Sequence, residues 1–548
     1  MTVPDLIFQN AAHHPNAIAI ANVSEDGYRA ITFCRLRKRA LRFAEGLLRL
    51  GVKGSDAVAI FSENRPEWVI ADLAIQMLGA ITVPIHSVFN EKYIAHILND
   101  CRARILIASD NHLFEKLHLS RERLPVERII YFSKNKIMGI HENRYLFFRE
   151  LAKKVKGDAV QFPARYASDI ATIIYTSGTT GAPKGVALTH ENIISNIEAI
   201  RRAIPVQRRD RFLSILPLSH VFERTAGCYV PLASGARIVY GESARNQKAI
   251  TRDLKRARPT ILLGVPRVFE KAYDNVLSHK FFPLLERMPF KRAIWSYVIK
   301  KRFGGAIRLC ISGGAALGPP IGEFFHARGL TILEGYGLTE TSPVISCNRE
   351  TEHVFGSCGI PLDNVAVKIA GDGEILVKGP SVMLGYYKLP SETSEVFTGD
   401  GFFKTGDLGL IDELGFLHIT GRKKSIIVLS TGKNVQPEAI ETALDASPYI
   451  AQAIAVGEGR KMVTAIIAPE YDKLKDDCIE KKEDAHSRIQ NEIDRLLADF
   501  PEHERIKKIT LLDEPFSVER DELTPTLKLK RKVIEERYKE IIEEMYSL

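Results

Sequence analysis

Between Asp56 and about Tyr336 the chain alternates short β-rich runs with amphipathic stretches, and this alternation most limits what it can fold into. The strand runs are Ala57–Phe61, Arg104–Ala108, Ile129–Phe132, Ala171–Tyr175, Arg237–Tyr240, Thr260–Leu263 and Ile307–Ile311. Strands separated by helical patterns imply parallel sheets with covering helices. After Val354 the rhythm changes to closely spaced strands and turns. Val365–Ile369 and Glu374–Val377 flank Gly371-Asp-Gly373, and Leu408–Ile419 runs around Asp412–Gly415. That pattern predicts an antiparallel meander or small barrel. Beyond Gly421 a smaller α+β unit begins, in which Ile489, Ile493, Leu496, Leu497 and Phe500 share one helix face.

At 548 residues the chain exceeds a single core, so two or more domains are expected. The expected fold class is α/β. Its large N-terminal domain, 1–421, has parallel-type sheets covered by helices and a small β-barrel-like subdomain, and a smaller α+β domain spans 422–548. The boundary falls at Arg422–Lys424, a charged stretch after a strand that suits a hinge.

Apolar residues at 45% and charged residues at 26% are those of a globular protein, which excludes extensive disorder. Seven scattered cysteines, none in a C-x-x-C pair, point to a reducing cytosol rather than a disulfide frame or zinc ribbon. The start of the chain carries no signal-peptide pattern, so a cytoplasmic location is expected. The most membrane-like run, Trp68 to Ile85, is interrupted by Asp72, Gln76, Gly79 and Pro84, and reads as a buried helix followed by a strand. The net charge of +9 gathers in clusters: Arg35, Arg37, Lys38 and Arg39; Arg201, Arg202, Arg208, Arg209 and Arg211; Lys291, Arg292, Lys300, Lys301 and Arg302. Such clusters are either solvated helix faces or sites for anionic partners, including an acidic carrier protein and the anionic face of a membrane touched peripherally. Nucleic acid is not expected, because no recognition module accompanies the charge.

The most informative segment is Tyr175-Thr-Ser-Gly-Thr-Thr-Gly-Ala-Pro-Lys-Gly185, which follows an apolar strand. Its glycines let backbone N–H groups approach an anion, its hydroxyls donate further hydrogen bonds and Lys184 adds positive charge. A polyphosphate is the natural ligand, and a flexible loop is the bland alternative. It is not a Walker A loop, since Pro183 stands where the final glycine belongs and Gly185 follows the lysine.

This loop resembles the phosphate-binding loop of the adenylate-forming superfamily of acyl-CoA synthetases, adenylation domains and luciferases. Further segments resemble that family's motifs in order: Leu216-Pro-Leu-Ser-His-Val-Phe-Glu-Arg224, Ser312-Gly-Gly-Ala-Ala316, Glu334-Gly-Tyr-Gly-Leu-Thr-Glu340, Thr405-Gly-Asp-Leu-Gly409, Gly421-Arg-Lys-Lys-Ser-Ile-Ile427 and Leu523-Thr-Pro-Thr-Leu-Lys-Leu-Lys-Arg531. The resemblance implies that Thr176, Ser177, Gly178, Thr179, Thr180, Gly181 and Lys184 cradle the phosphates of ATP. It places adenine against Tyr336, with Gly313, Gly314, Ala315, Glu334, Gly335 and Gly337 nearby. Glu340 becomes a ligand for Mg2+, which suits a hard carboxylate. Thr339 is expected to bond the α-phosphate, and Asp407 and Arg422 the ribose. Viewed singly, Tyr336 would read as core and Asp407 as a turn residue. His220, alone an ordinary structural histidine, is placed by the resemblance beside the acyl carboxylate.

The implied catalytic lysine is Lys528, with Lys530 and Lys532 as competitors, since Leu527 stands where many members have glycine. The family rotates a mobile C-terminal domain about a pivot matched by Lys424, and Gly432 would then line the pantetheine channel. The Leu216–Arg224 motif, Gly264-Val-Pro-Arg-Val-Phe-Glu270 and Leu429-Ser-Thr-Gly-Lys-Asn-Val435 are most similar to long-chain acyl-CoA synthetases. The stretch Glu270–Gly305 is short for them, which leaves the length of the acid open. The resemblance thus implies a fatty acid as substrate and coenzyme A as acceptor. The alternatives are an acyl carrier protein as acceptor, or a silent nucleotide- or lipid-binding scaffold of the same fold.

Overall fold

The computed structural model describes residues 1–24, 27–109, 124–132, 145–153, 162–176, 183–242, 249–278, 291–477, 479, 481–523 and 529–547. Two compact units emerge. The first comprises Met1–Thr176, Ala182–Val367 and Val377–Phe403, and the second includes Lys368–Leu376 and Lys404–Leu548.

The first unit is built on two large sheets. One runs, edge to edge, Gly385–Tyr386, Lys184–Thr189, Ile170–Thr176, Ile81–Ile85, Ala57–Phe61, Ile105–Ala108, Arg128–Tyr131 and Tyr145–Phe147. It is parallel from Ile170–Thr176 to its far edge and antiparallel across the first two pairings. The other runs Ile360–Pro361, Val344–Cys347, Thr331–Gly337, Leu309–Gly313, Ile261–Gly264, Arg211–Ser214, Arg237–Tyr240, Ile18–Ser24 and Gly27–Thr32, with parallel pairing through its centre. All seven strand runs expected between Asp56 and Tyr336 are present. Their interiors are almost wholly apolar, as strands covered on both faces require.

Trp68 to Ile85 folds as the Pro66–Met77 helix and the Ile81–Ile85 strand, both buried. Asp72 and Gln76, which break its hydropathy, serve a buried polar network. Arg224 pairs with Asp72 and donates to the Thr172 hydroxyl at 2.6 Å and the Tyr229 hydroxyl at 2.8 Å. Gln76 donates to the same Tyr229 oxygen at 2.9 Å. Among the described residues no helix is long and apolar enough to cross a membrane.

The second unit opens with the sheet Ala366–Ile369, Glu374–Lys378, Phe403–Ile411 and Leu417–Arg422. It is the expected meander. Its hairpin turn is held by Asp412, whose carboxylate accepts from the N–H groups of Leu414 and Phe416 at 3.0 and 2.9 Å. A three-stranded sheet follows, Ile450–Val456, Thr464–Pro469 and Lys508–Leu511. The Lys482–Leu496 helix covers it with the expected face: Ile489, Ile493 and Leu497 are buried, and Leu496 and Phe500 are partly so.

Candidate active site

In the first unit, the strands that flank the phosphate-loop motif pair with each other. Thr176 pairs with Lys184 and Tyr175 with Gly185 across antiparallel strands. Ser177, Gly178, Thr179, Thr180 and Gly181 lie outside the described residues. Lys184 is therefore the described end of the cradle. Its ammonium pairs with Glu392 and sits 5.2 Å from the centre of the Tyr386 ring.

Tyr386 reaches this position because Gly385–Tyr386 adds an edge strand, pairing Tyr386 with Val186. The Pro390–Glu395 helix fixes it further, with the Thr393 hydroxyl accepting from the Tyr386 N–H at 2.9 Å. The Tyr386 hydroxyl in turn donates to the Glu340 carboxylate at 3.0 Å. Burial holds that phenol above its ordinary pKa, and the Glu340 charge adds to the effect, so Tyr386 stays a donor. Thr339 and Glu340 begin a short 3-10 turn, and the Glu340 carbonyl accepts from Met383 N–H at 2.7 Å. Lys184, expected at the phosphates, and Glu340, expected at Mg2+, are thus gathered around one tyrosine that the motifs did not indicate.

The Ser312–Ala316 motif leaves the end of the Leu309–Gly313 strand, alongside Gly335 of Thr331–Gly337. Tyr336 is mostly buried. Glu334 is turned into the protein, where its carboxylate accepts from the N–H groups of Leu317 and Gly356 at 3.2 and 3.3 Å. Burial pushes that carboxyl up to about 7, against the lowering pull of the two donors. Those two bonds tie the segments at Leu317 and Gly356 to the Thr331–Gly337 strand.

His220 lies three residues before a π-helix, Glu223–Tyr229, a distortion often found at functional sites. Its ring meets that of buried His86 edge to face, with centroids 5.5 Å apart. Within the π-helix Glu223 is fully buried and bonded by the Ser214 hydroxyl; burial pushes its carboxyl up to about 8.

In the second unit, Asp407 and Arg422 face each other across antiparallel strands, Arg422 Nε lying 3.0 Å from the Asp407 carboxylate. Asp407 is nearly buried. Lys424 lies in the following 3-10 turn, beside Lys423, which bridges Asp372 and Glu374 at 2.6 and 2.9 Å. Gly432 has φ +77°, and a Cβ there would meet nothing within 4 Å, so backbone conformation rather than crowding calls for glycine. Lys528 lies outside the described residues. Leu523 and Leu529 form an antiparallel bridge that brackets it. Of its competitors, Lys530 is committed to Asp521 and Lys532 is exposed on the Arg531–Arg537 helix, whose first residue, Arg531, is held by Glu441 and the Ala455 carbonyl.

Residues 7–387 match the family described as AMP-binding enzyme, and residues 424–548 match the AMP-binding enzyme C-terminal domain. The chain belongs to the AMP-binding enzyme family. Within it, the chain is 33% identical to the long-chain-fatty-acid–CoA ligase FadD15 of Mycobacterium bovis, an alignment covering all of this chain and 97% of that one. It is 29% identical to the chloroplastic long-chain-fatty-acid–[acyl-carrier-protein] ligase AEE15 of Arabidopsis thaliana, over all of this chain and 86% of that protein. The fold of this AMP-binding enzyme superposes on the adenylation domain of carboxylic acid reductase from Segniliparus rugosus with a TM-score of 0.84. That match, at 21% identity, covers all of this chain and 94% of the other. The AMP-binding enzyme motifs therefore stand on the fold expected of them.

Among the described residues no group of three histidine, cysteine or acidic side chains could hold a metal by itself. The donor set fits Mg2+ rather than a caged transition metal. Glu340 offers one hard carboxylate, and substrate phosphates would complete the shell.

Proposed function

We propose that this AMP-binding enzyme is an ATP-dependent acid–thiol ligase that activates a medium- to long-chain fatty acid and transfers it to coenzyme A. The observation that supports the reading is the grouping of Lys184 and Glu340 around Tyr386, a cation suited to phosphate and a carboxylate suited to magnesium.

In the first half-reaction a carboxylate oxygen of the acid attacks the α-phosphorus of ATP. The bond to the β-phosphate breaks and pyrophosphate leaves. Negative charge gathers on the phosphoryl oxygens, where Lys184, the Thr339 hydroxyl and the ammonium of Lys528 oppose it. Bound Mg2+ supplies further neutralisation of the phosphates. Asp407 accepts from the ribose hydroxyls, with Arg422 fixing its carboxylate. In the second half-reaction the thiol loses its proton to solvent and attacks the acyl carbonyl; the bond to the phosphate oxygen breaks and AMP leaves. His220 lies beside the acyl group, Lys424 is the pivot between the two half-reactions, and Gly432 lines the path of the pantetheine arm. Lys528 is favoured over Lys530 because Asp521 already holds the latter.

The second reading keeps the adenylation and changes the acceptor to an acyl carrier protein. It is favoured by the full-length alignment with the Arabidopsis carrier-protein ligase. Fatty-acid-dependent exchange of labelled pyrophosphate into ATP tests the activation step, and no exchange with any acid from eight to eighteen carbons refutes it. Supplying the acyl-AMP separately with coenzyme A and with holo carrier protein decides the acceptor.

The protein works in the cytoplasm and meets anionic membrane peripherally. The Lys291–Arg302 helix supports the membrane contact. It contains no acidic residue, exposes Lys291, Arg292, Lys301 and Arg302, and leaves Tyr297 67% exposed. Pelleting with anionic vesicles should fall between low and high salt, and salt-independent pelleting contradicts an electrostatic origin.

A further inference from the structure

One helix outside every motif touches both stems of the phosphate-loop connection. The Glu91–Cys101 helix is started by Asn90, whose side chain accepts from Tyr93 N–H at 3.0 Å. His96 and Asp100, four residues apart, share a face of it. At one stem, the Tyr175 hydroxyl donates to the Asp100 carboxylate. At the other, His96 Nε2 lies 3.1 Å from the Pro183 carbonyl oxygen. A carbonyl can only accept, so Nε2 carries the hydrogen. The His96 and Tyr175 rings meet edge to face at 6.4 Å.

The contacts are built in. Tyr175 and Pro183 are both buried, and burial holds the Tyr175 phenol far above its ordinary pKa, so it remains a donor. Gly185, opposite Tyr175, admits that ring: a Cβ there would lie 2.7 Å from Ile173 Cγ2 and 3.1 Å from Tyr175 Cζ. The far end of the helix is secured by Lys388, whose ammonium donates to the Asp100 carbonyl and lies 4.0 Å from its carboxylate. The neighbouring Tyr387 N–H donates to the Gly185 carbonyl at 2.7 Å.

We propose that His96 and Asp100 are positioning residues for ATP, a two-point clamp through which one helical turn fixes both stems of the phosphate cradle and, with them, the root of Lys184. This rests on the reading of Thr176–Lys184 as the ATP cradle. Without the clamp the paired strands still form, but the Glu91–Cys101 helix no longer holds both stems. Fixing the stems then draws on the binding energy of ATP, and that cost appears as lost affinity.

The test compares wild type with His96→Ala, His96→Gln, Tyr175→Phe and Lys184→Ala in the full-length protein. It measures calorimetric binding of a non-hydrolysable ATP analogue, steady-state kcat and KM for each substrate, and melting temperature. His96→Ala and Tyr175→Phe should each weaken nucleotide binding and raise KM for ATP by about tenfold, the worth of one buried hydrogen bond. KM for the fatty acid should not change. His96→Gln, whose amide can donate to the Pro183 carbonyl, should recover most of the affinity. Nucleotide affinity unchanged in His96→Ala and Tyr175→Phe but weakened in Lys184→Ala overturns the clamp. So does a rise in both KM values that tracks a lowered melting temperature, because a merely structural contact would do that. Affinity unchanged in Lys184→Ala shows instead that the cradle reading itself is wrong.

Discussion

The Tyr386 hydroxyl donates to the Glu340 carboxylate at 3.0 Å, while the same ring lies 5.2 Å from the Lys184 ammonium. One side chain therefore orients the carboxylate meant for magnesium and borders the cation meant for phosphate. Tyr386→Phe keeps the ring and deletes the donor. Adenylation should slow by about tenfold, and the magnesium concentration giving half-maximal pyrophosphate exchange should rise. An unchanged magnesium dependence would remove Tyr386 from the site.

The cross-strand pair Asp407–Arg422 predicts a nucleotide-specific defect. Asp407→Ala removes the acceptor and leaves Arg422 without that charge-assisted partner. KM for ATP should rise on the order of 10- to 100-fold, with KM for the fatty acid unaltered. Steady-state kinetics with each substrate varied in turn checks this.

Arg224 predicts a change in stability rather than chemistry. It is fully buried against Asp72, Tyr229 and Thr172. Arg224→Ala would strand the Asp72 carboxylate in the core, costing about 3–5 kcal/mol. The mutant should unfold at markedly lower urea concentration than wild type.

Glu334 predicts a pH dependence. Its folded carboxyl titrates at about 7, above the ordinary 4.5. Between those values the folded protein binds a proton that the unfolded chain has released, so this group's contribution to stability declines as pH rises from about 4.5 to 7. Glu334→Gln removes the titration. The melting temperature of wild type relative to Glu334→Gln should fall between pH 5 and pH 7.5; parallel profiles would show that Glu334 does not titrate there.

Much of the fold was legible because buried parallel strands announce themselves as apolar runs, as Ala57–Phe61 and Arg237–Tyr240 do. Strands not expected include Ile18–Ser24, which lies before the alternation becomes regular, and Lys184–Thr189 and Thr331–Gly337, whose motif glycines break the apolar run. Residues inside motifs were legible as chemistry, but a motif does not show where a carboxylate points: Glu334 faces backbone N–H groups, while Glu340 faces Tyr386. Tyr386, His86, His96 and Asp100 carried no local signal. Their relevance exists only after strand pairing brings distant segments together.

The central claim is that the acid's own oxygen becomes bonded to the α-phosphorus. A fatty acid carrying 18O in both carboxylate oxygens, turned over with ATP and coenzyme A, follows that atom. The account predicts AMP heavier by one 18O, with pyrophosphate unlabelled, because the bridging oxygen departs with AMP when the thiol attacks. Label in orthophosphate, with ADP as the nucleotide product, would contradict it.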